Sequence, residues 1–290
     1  MLSLFLCHTS FSQTSSTGVN STGVQTTTFD ETIRAAGMID FWDGKSGFNF
    51  SQDTGTNIVQ WSGIQGSGYP WTKLSGNGVN TNYPPYVNTI TTNGFPAINF
   101  PAGGLVSPLY NNRIATDFFA TGQPFTIVML TCAESSGVAI NATGFGYSFA
   151  TNNNANIFRA HLHVGTPTSF GYGFGFSTNQ ALVNVVSGTG GPNTNRFNWY
   201  MMSYSNGTAM VMHNLLGSQS TITSPGSFQF NSLTLGARAV TNFNINGAWS
   251  GFVGAYAVGT NALFGTHATN FMNYVNGTYR GGAYRVYNGP

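Results

Sequence analysis

Charge is what this sequence has least of. Lys, Arg, Asp and Glu together make up 6% of its 290 residues, where an ordinary soluble domain carries about 25%. Lysine occurs only at Lys45 and Lys73, so there is no clustered cationic face to neutralise phosphates, and a nucleic-acid binder is excluded. The formal net charge is +2 and 41% of the chain is apolar; disorder driven by charge repulsion is therefore excluded as well. Coiled coils and helix bundles need Glu, Lys, Arg and Leu at helical spacing, which are missing. No apolar run reaches the roughly 18–20 residues of a membrane-spanning helix. Cysteine is scarce too. Cys7 and Cys132 lie far apart in the chain, and Cys132, inside the run Thr126–Cys132, reads as a small buried hydrophobe.

What the chain does have is glycine, 38 residues, and aromatics, 14% of the total. The glycines follow no collagen-like period. With so little charge, the surface must be built from amides and hydroxyls. Such surfaces are common on virion shells and on secreted adhesive or glycan-facing proteins, whereas a lone cytosolic protein usually carries more charge for solubility.

Residues 1–30 read as an arm. Leu2–Cys7 is a short apolar run, and no Lys or Arg precedes Arg34, unlike the basic, longer core of a signal peptide. The Ser-Phe-Ser-Gln that closes residues 1–13 nevertheless resembles the tail of bacterial secretion signals. Residues 14–28 are polar and repeat Ser-Thr-Gly-Val-Asn/Gln at 16–20 and 21–25. That stretch cannot form its own core. The arm is therefore expected to be extended and to dock on another subunit through Leu2, Leu4, Phe5 and Phe11.

Residues 31–290 show no composition break and read as one domain. Strand-like runs alternate with Gly/Asn/Pro/Ser turns, the pattern of an antiparallel sandwich or barrel. The runs are 37–42, 57–61, 97–100, 125–132, 144–149, 157–164, 172–176, 181–186, 198–204, 209–213, 232–235 and 251–258. Asn206-Gly207 is a hairpin signal between two of them. Only 262–275 predicts a helix, with Phe264, Ala268, Phe271 and Val275 on one face.

The order of several pieces resembles a family. Met38–Asp43 is followed by Ile58–Gly63, Pro85–Val87, Asn93–Phe100 and Pro124–Val128, then by Phe197–Tyr200, Leu233–Arg238 and Trp249–Val258. This succession, over about 36–278, is similar to the concanavalin A-like, laminin-G/pentraxin-type jelly roll of bacterial and phage proteins. The resemblance implies an all-β fold of two curved antiparallel sheets, with a short helix after the last core strand. Its members include lectins, glycosidases, adhesion modules and virion proteins, so fold alone does not deliver function.

The residues argue against catalysis. Glycosidases of the usual kind need two carboxylates across the scissile bond. The acids here are Asp30, Glu31, Asp40, Asp43, Asp53, Asp117 and Glu134, with none beyond Glu134. Where the family often carries a Glu in the last core strand, this chain has Ala255. No Gly-x-Ser-x-Gly elbow, phosphate loop or zinc spacing occurs. The expectation is a chain that is not an enzyme and holds no cofactor. Asp40, Asp43 and Asp53 form the one acid cluster in the sequence and are a weak calcium candidate.

Two contact surfaces stand out. The segment 69–86 carries Tyr69, Trp71, Tyr83 and Tyr86 among prolines and asparagines, suited to sugar stacking or a subunit contact. In 157–164, Arg159, His161 and His163 alternate with apolar residues, and three such side chains in so neutral a chain suggest a ligand or subunit face. Two readings result. One is a structural protein of a virion or similar extracellular assembly, whose partners are copies of itself or other subunits. The other is a secreted or surface glycan-binding module.

Overall fold

The structure is a computed structural model of the chain. The structure describes residues 30–43, 58–65, 68–73, 97–100, 109–118, 123–133, 197–206, 208–213, 233–240 and 251–282, together with strand backbone at 18–19, 25–26, 50–52, 86–88, 144–147, 159–164, 170–175, 216–221 and 244–248. In chain order its elements are β1 (Gly18–Val19), β2 (Gln25–Thr26), α1 (Glu31–Ala35), β3 (Met38–Asp43), β4 (Phe50–Gln52), β5 (Ile58–Trp61), β6 (Trp71–Lys73), β7 (Tyr86–Asn88), β8 (Ala97–Phe100), β9 (Leu109–Asn111) and α2 (Asn112–Phe118). There follow β10 (Phe125–Ala133), β11 (Gly144–Tyr147), β12 (Arg159–Val164), β13 (Phe170–Gly175), β14 (Asn198–Ser205), β15 (Thr208–His213) and β16 (Leu216–Thr221). The last are β17 (Leu233–Leu235), β18 (Ala237–Val240), β19 (Asn244–Ala248), β20 (Gly251–Gly259), α3 (Gly265–Gly277) and a 3-10 turn, Tyr279–Gly282.

Two antiparallel sheets form a β-sandwich. The larger runs β16-β15-β14-β10-β20-β8-β7, and the smaller β17-β9-β6-β5-β4. β20 is the spine of the larger sheet. It pairs with β10 along one side, while its other side is shared by β8, opposite Gly251–Val253, and β3, opposite Ala255–Gly259. β14 and β15 are joined by the two residues Asn206-Gly207, with Ser205 opposite Thr208; Asn206 sits at φ 48, the left-handed conformation that such a turn requires and that Asn tolerates.

The space between the sheets is filled by aromatics. Trp42 from β3, Trp71 from β6 and Tyr256 from β20 meet edge to face, with centroids 4.8–6.2 Å apart, the arrangement favoured by the ring quadrupoles. The Trp61 indole N–H donates to the Asp43 carbonyl at 3.3 Å, joining β5 to β3. Gly236 lies at φ +87 against the Phe100 ring, where a Cβ would overlap it.

A third layer covers the outer face of the larger sheet. Phe41, Val128, Leu130, Trp199, Met201, Ala255 and Ala257 pack there under Ile33 of α1, Ala268, Phe271, Met272 and Val275 of α3, and Tyr279. The sequence explains why a layer is needed. β10 and β20 are buried on both parities, Phe125/Ile127/Met129 against Val128/Leu130 and Tyr256/Val258 against Ala255/Ala257, so neither face can meet water. Each large apolar side chain fully buried contributes about 1.5–3 kcal/mol.

Two polar knots hold this layer. The Thr126 hydroxyl donates to the Asn261 carbonyl at 2.7 Å and accepts from the Leu263 N–H at 3.0 Å. Its single proton being used, Ser203 is the donor in their 2.8 Å contact. This fixes the segment that feeds α3. Asp30 caps α1, accepting from the N–H groups of Thr32 at 2.8 Å and Ile33 at 3.3 Å, as an N-cap aspartate should. Its other oxygen accepts from the Tyr274 hydroxyl of α3.

The helix predicted at 262–275 is α3, and the expected apolar face is the one that packs. Two helices were not expected. α1 and α2 span 5 and 7 residues, too short to show a 3.6-residue period, and are started by caps instead. In the N-terminal segment Gly18-Val19 pairs antiparallel with Gln25-Thr26, and Asp30 caps α1. The run 181–186 and the residues Leu2, Leu4, Phe5 and Phe11 lie outside the described residues.

Candidate functional site

The candidate site grows from the junction of β9 and α2. Asn111, the last residue of β9, accepts from the Ile114 N–H at 3.1 Å and so starts α2; its amide donates to the Tyr69 carbonyl at 2.9 Å. Arg113 reaches back from α2 to donate to the Gly68 carbonyl at 2.9 Å. Gly68 is at φ +77, a left-handed turn that presents that carbonyl. The 68–71 segment and α2 are thereby fixed together.

On this base stand four side chains. The Tyr69 ring meets Phe118 edge to face, centroids 5.2 Å apart. The Arg113 guanidinium lies 5.0 Å from the centre of the Tyr69 ring, within cation–π range. Asp117, one turn on, places a carboxylate oxygen 3.9 Å from an Arg113 nitrogen, with side chains 62% and 41% exposed. Partial burial first, and the nearby Asp117 carboxylate second, hold the Tyr69 hydroxyl above its ordinary value, against the opposing pull of Arg113. An aromatic ring, a planar donor and a planar acceptor thus meet at the surface of a chain with little charge elsewhere.

Of the residues the sequence singled out, Tyr69 is part of this site. Trp71 is not available as a stacking surface: it is fully buried, opposite Trp61 in the register and packed on Trp42 and Tyr256. The cause is position, because β6 lies inside the smaller sheet with β5 on one side and β9 on the other. Tyr86 is on β7 at an edge of the larger sheet. Tyr83 lies outside the described residues. Arg159, His161 and His163 fall on β12, which pairs with β13 in unbroken register from Arg159↔Gly175 to Val164↔Phe170.

The calcium candidate is not assembled. Asp40 and Asp43 are both buried, 1% and 0% exposed, and their odd spacing on β3 sends them to opposite faces. Asp40 accepts from the N–H groups of Phe41 at 2.8 Å and Gln65 at 3.0 Å, with Gly63 so close that a Cβ there would overlap its carboxyl. Asp43 turns the other way and accepts from the Tyr279 hydroxyl at 2.8 Å. Asp53 lies outside the described residues, among which no group of three His, Cys, Asp or Glu could hold a metal ion.

Sequence reading missed Arg113, Asp117 and Phe118. The signal was present as an Arg and an Asp four residues apart, preceded by Asn111, a residue suited to capping. A seven-residue helix between two strands gave it no context.

No family model and no curated protein matches the chain. Among solved structures it is similar to a Trypanosoma rangeli sialidase in complex with the inhibitor DANA, with a TM-score of 0.52 and 8% identity over 81% of this chain and 32% of that one. It is also similar to a native heptameric SAP-like pentraxin from Limulus polyphemus, with a TM-score of 0.46 and 14% identity over 63% of this chain and 83% of that one. A third is domain 4 of a GH43 extracellular arabinanase from Geobacillus stearothermophilus in complex with arabinotriose, with a TM-score of 0.42 and 15% identity over 81% and 98%. At these identities the likeness is one of fold alone, a β-sandwich. The chain spans about a third of the length of the sialidases it matches.

The sialidase likeness corrects the expectation of a chain without enzymatic activity, because this fold occurs in the chains of glycoside-cleaving enzymes. The carboxylate count had tested only the two-carboxylate scheme. Sialidases use a tyrosine nucleophile, so scarcity of acids does not separate this chain from them. No helix among the described residues is long and apolar enough to cross a membrane.

Proposed function

We propose that this chain is a carbohydrate-recognition module, a lectin-type jelly roll that works at the surface of a virion or another extracellular assembly. The observation that carries it is the fixed cluster of Tyr69, Arg113, Asp117 and Phe118. Sugars present an apolar face ringed by hydroxyls. Protein sites that hold them combine an aromatic surface with a few well-placed polar groups, and this cluster offers both on a braced base. The names of the sialidase and of the arabinotriose-bound domain are in keeping with it. The test is a glycan microarray of the full chain beside its Tyr69→Ala variant. Binding to a defined set of glycans that Tyr69→Ala removes, with the melting temperature unchanged, is the expected result. Equal binding by the variant sinks the proposed site.

A second reading is a structural subunit that assembles with copies of itself or with other virion proteins. It is favoured by the 6% charge content and by the composition of 14–28, which offers few apolar side chains to set against a backbone ordering cost of about 1–2 kcal/mol per residue. Deleting residues 2–28 is expected to leave the melting temperature nearly unchanged and to abolish particle formation by electron microscopy. Intact particles from the deleted chain refute it.

A further inference from the structure

Resting on the carbohydrate reading of this site, we infer that its ligand is a neutral saccharide held through a vicinal diol, with one hydroxyl donating to Asp117 and its neighbour accepting from Arg113. The two side chains are complementary halves of a diol clamp. A guanidinium only donates and a carboxylate only accepts, whereas each hydroxyl of a diol does both. Their facing atoms, Arg113 Nη2 and Asp117 Oδ2, stand 3.9 Å apart. That is longer than a direct hydrogen bond, and two adjacent hydroxyls lying alongside the pair can each meet one of its members.

The clamp is oriented before any ligand arrives. Arg113 Nη1 is committed to the Gly68 carbonyl, and the guanidinium rests over the Tyr69 ring, which fixes its plane. The Tyr69 hydroxyl is hydrogen-bonded to the Asp117 carboxylate, which keeps further acceptor sites for a ligand, and the Tyr69 ring rests against Phe118. Rigid placement of this kind lowers the ordering cost of binding.

Charge selects the ligand class. One cation and one anion at hydrogen-bonding range of the same ligand leave no net charge to attract a carboxylated or sulfated sugar, and Asp117 repels such a group as strongly as Arg113 draws it. A neutral diol meets no such opposition.

The experiment titrates the full-length chain by calorimetry with neutral galactose-, mannose- and glucose-terminated oligosaccharides and with their sialylated and sulfated counterparts, at low and at high NaCl. A neutral ligand is expected to bind best, with an affinity insensitive to salt. Arg113→Ala and Asp117→Asn are each expected to weaken it by about ten- to hundredfold, the value of hydrogen bonds to charged groups. The double variant should be little weaker than either single one, because the diol is already released. Removing either of two adjacent hydroxyls from the sugar should reproduce the loss.

Tightest binding by an anionic glycan, weakened by salt, overturns the neutral-diol inference while leaving the carbohydrate reading in place. Loss of binding in Tyr69→Ala with no loss in Arg113→Ala and Asp117→Asn does the same. Absence of binding to every glycan overturns both. Far-ultraviolet circular dichroism and melting temperature of each variant separate lost contacts from lost folding.

Discussion

Replacing Thr126 by Val removes one oxygen atom from the interior and keeps the shape of the side chain. The β-branch stays, so strand β10 keeps its propensity and its packing. Lost are the donation to the Asn261 carbonyl, the acceptance from the Leu263 N–H, and the acceptance from Ser203. Asn261 is exposed, and water replaces its lost partner. The Leu263 N–H and the Ser203 hydroxyl are buried, with residue exposures of 8% and 0%. Each orphaned buried group costs about 1–3 kcal/mol, so the substitution is expected to destabilise by roughly 2–6 kcal/mol. For a chain of this size each kcal/mol lowers the melting temperature by about 2–4 °C. Thr126→Ser keeps the hydroxyl, and its loss is limited to one methyl group, about 1 kcal/mol. Adding Ser203→Ala to Thr126→Val removes one of the two orphans and is expected to recover part of the loss. Urea unfolding of the four proteins gives the energies, and hydrogen exchange reports whether the α3 amides open first. A cost below about 1 kcal/mol for Thr126→Val, or equal costs for the Val and Ser variants, refutes the idea that this hydroxyl anchors α3.

Truncating Phe271 to Ala in α3, where it is 4% exposed, is expected to cost about 3–5 kcal/mol and to increase dye binding to the uncovered outer face of the larger sheet; unchanged stability and dye binding contradict the third layer. The Tyr274 hydroxyl is pushed up to about 12, first by partial burial and then by the Asp30 carboxylate. Folding thus favours the neutral phenol, so its contribution is complete below about pH 10, the unfolded value, and is lost as the pH climbs toward about 12. Melting temperature against pH should fall over that window and fall less in Tyr274→Phe; superimposable curves contradict the link between α1 and α3. Gly236→Ala combines a left-handed backbone at φ +87 with a Cβ driven into the Phe100 ring. It is expected to destabilise by at least the roughly 1–3 kcal/mol of the backbone strain, and Phe100→Leu in the same chain should relieve part of that, as read by thermal melting.

The sequence by itself determined the architecture in outline. Alternating runs and turn residues mark antiparallel strands because side chains on a strand repeat every two residues. Asn206-Gly207 marks a tight hairpin because those residues accept a left-handed backbone. Phe264, Ala268, Phe271 and Val275 mark α3 because one face of a 13-residue helix is long enough to show its period. Local patterns of this kind do not say how many faces of a strand are covered. The runs 37–42 and 251–258 read as strands, but only the pairing of β3 and β8 along one side of β20, with α1 and α3 above it, made both of their faces interior. The same limit governs the site residues. Asp40 and Asp43 are neighbours in sequence, and the pleat sends their carboxylates to opposite sides of the sheet. Trp71 looked like an exposed loop aromatic until β6 proved to lie within the smaller sheet. Arg113 and Asp117 carried a readable spacing, but the partner that makes a site of them, Tyr69, is more than 40 residues away. A contact between residues so far apart in the chain exists only once the strands between them have paired.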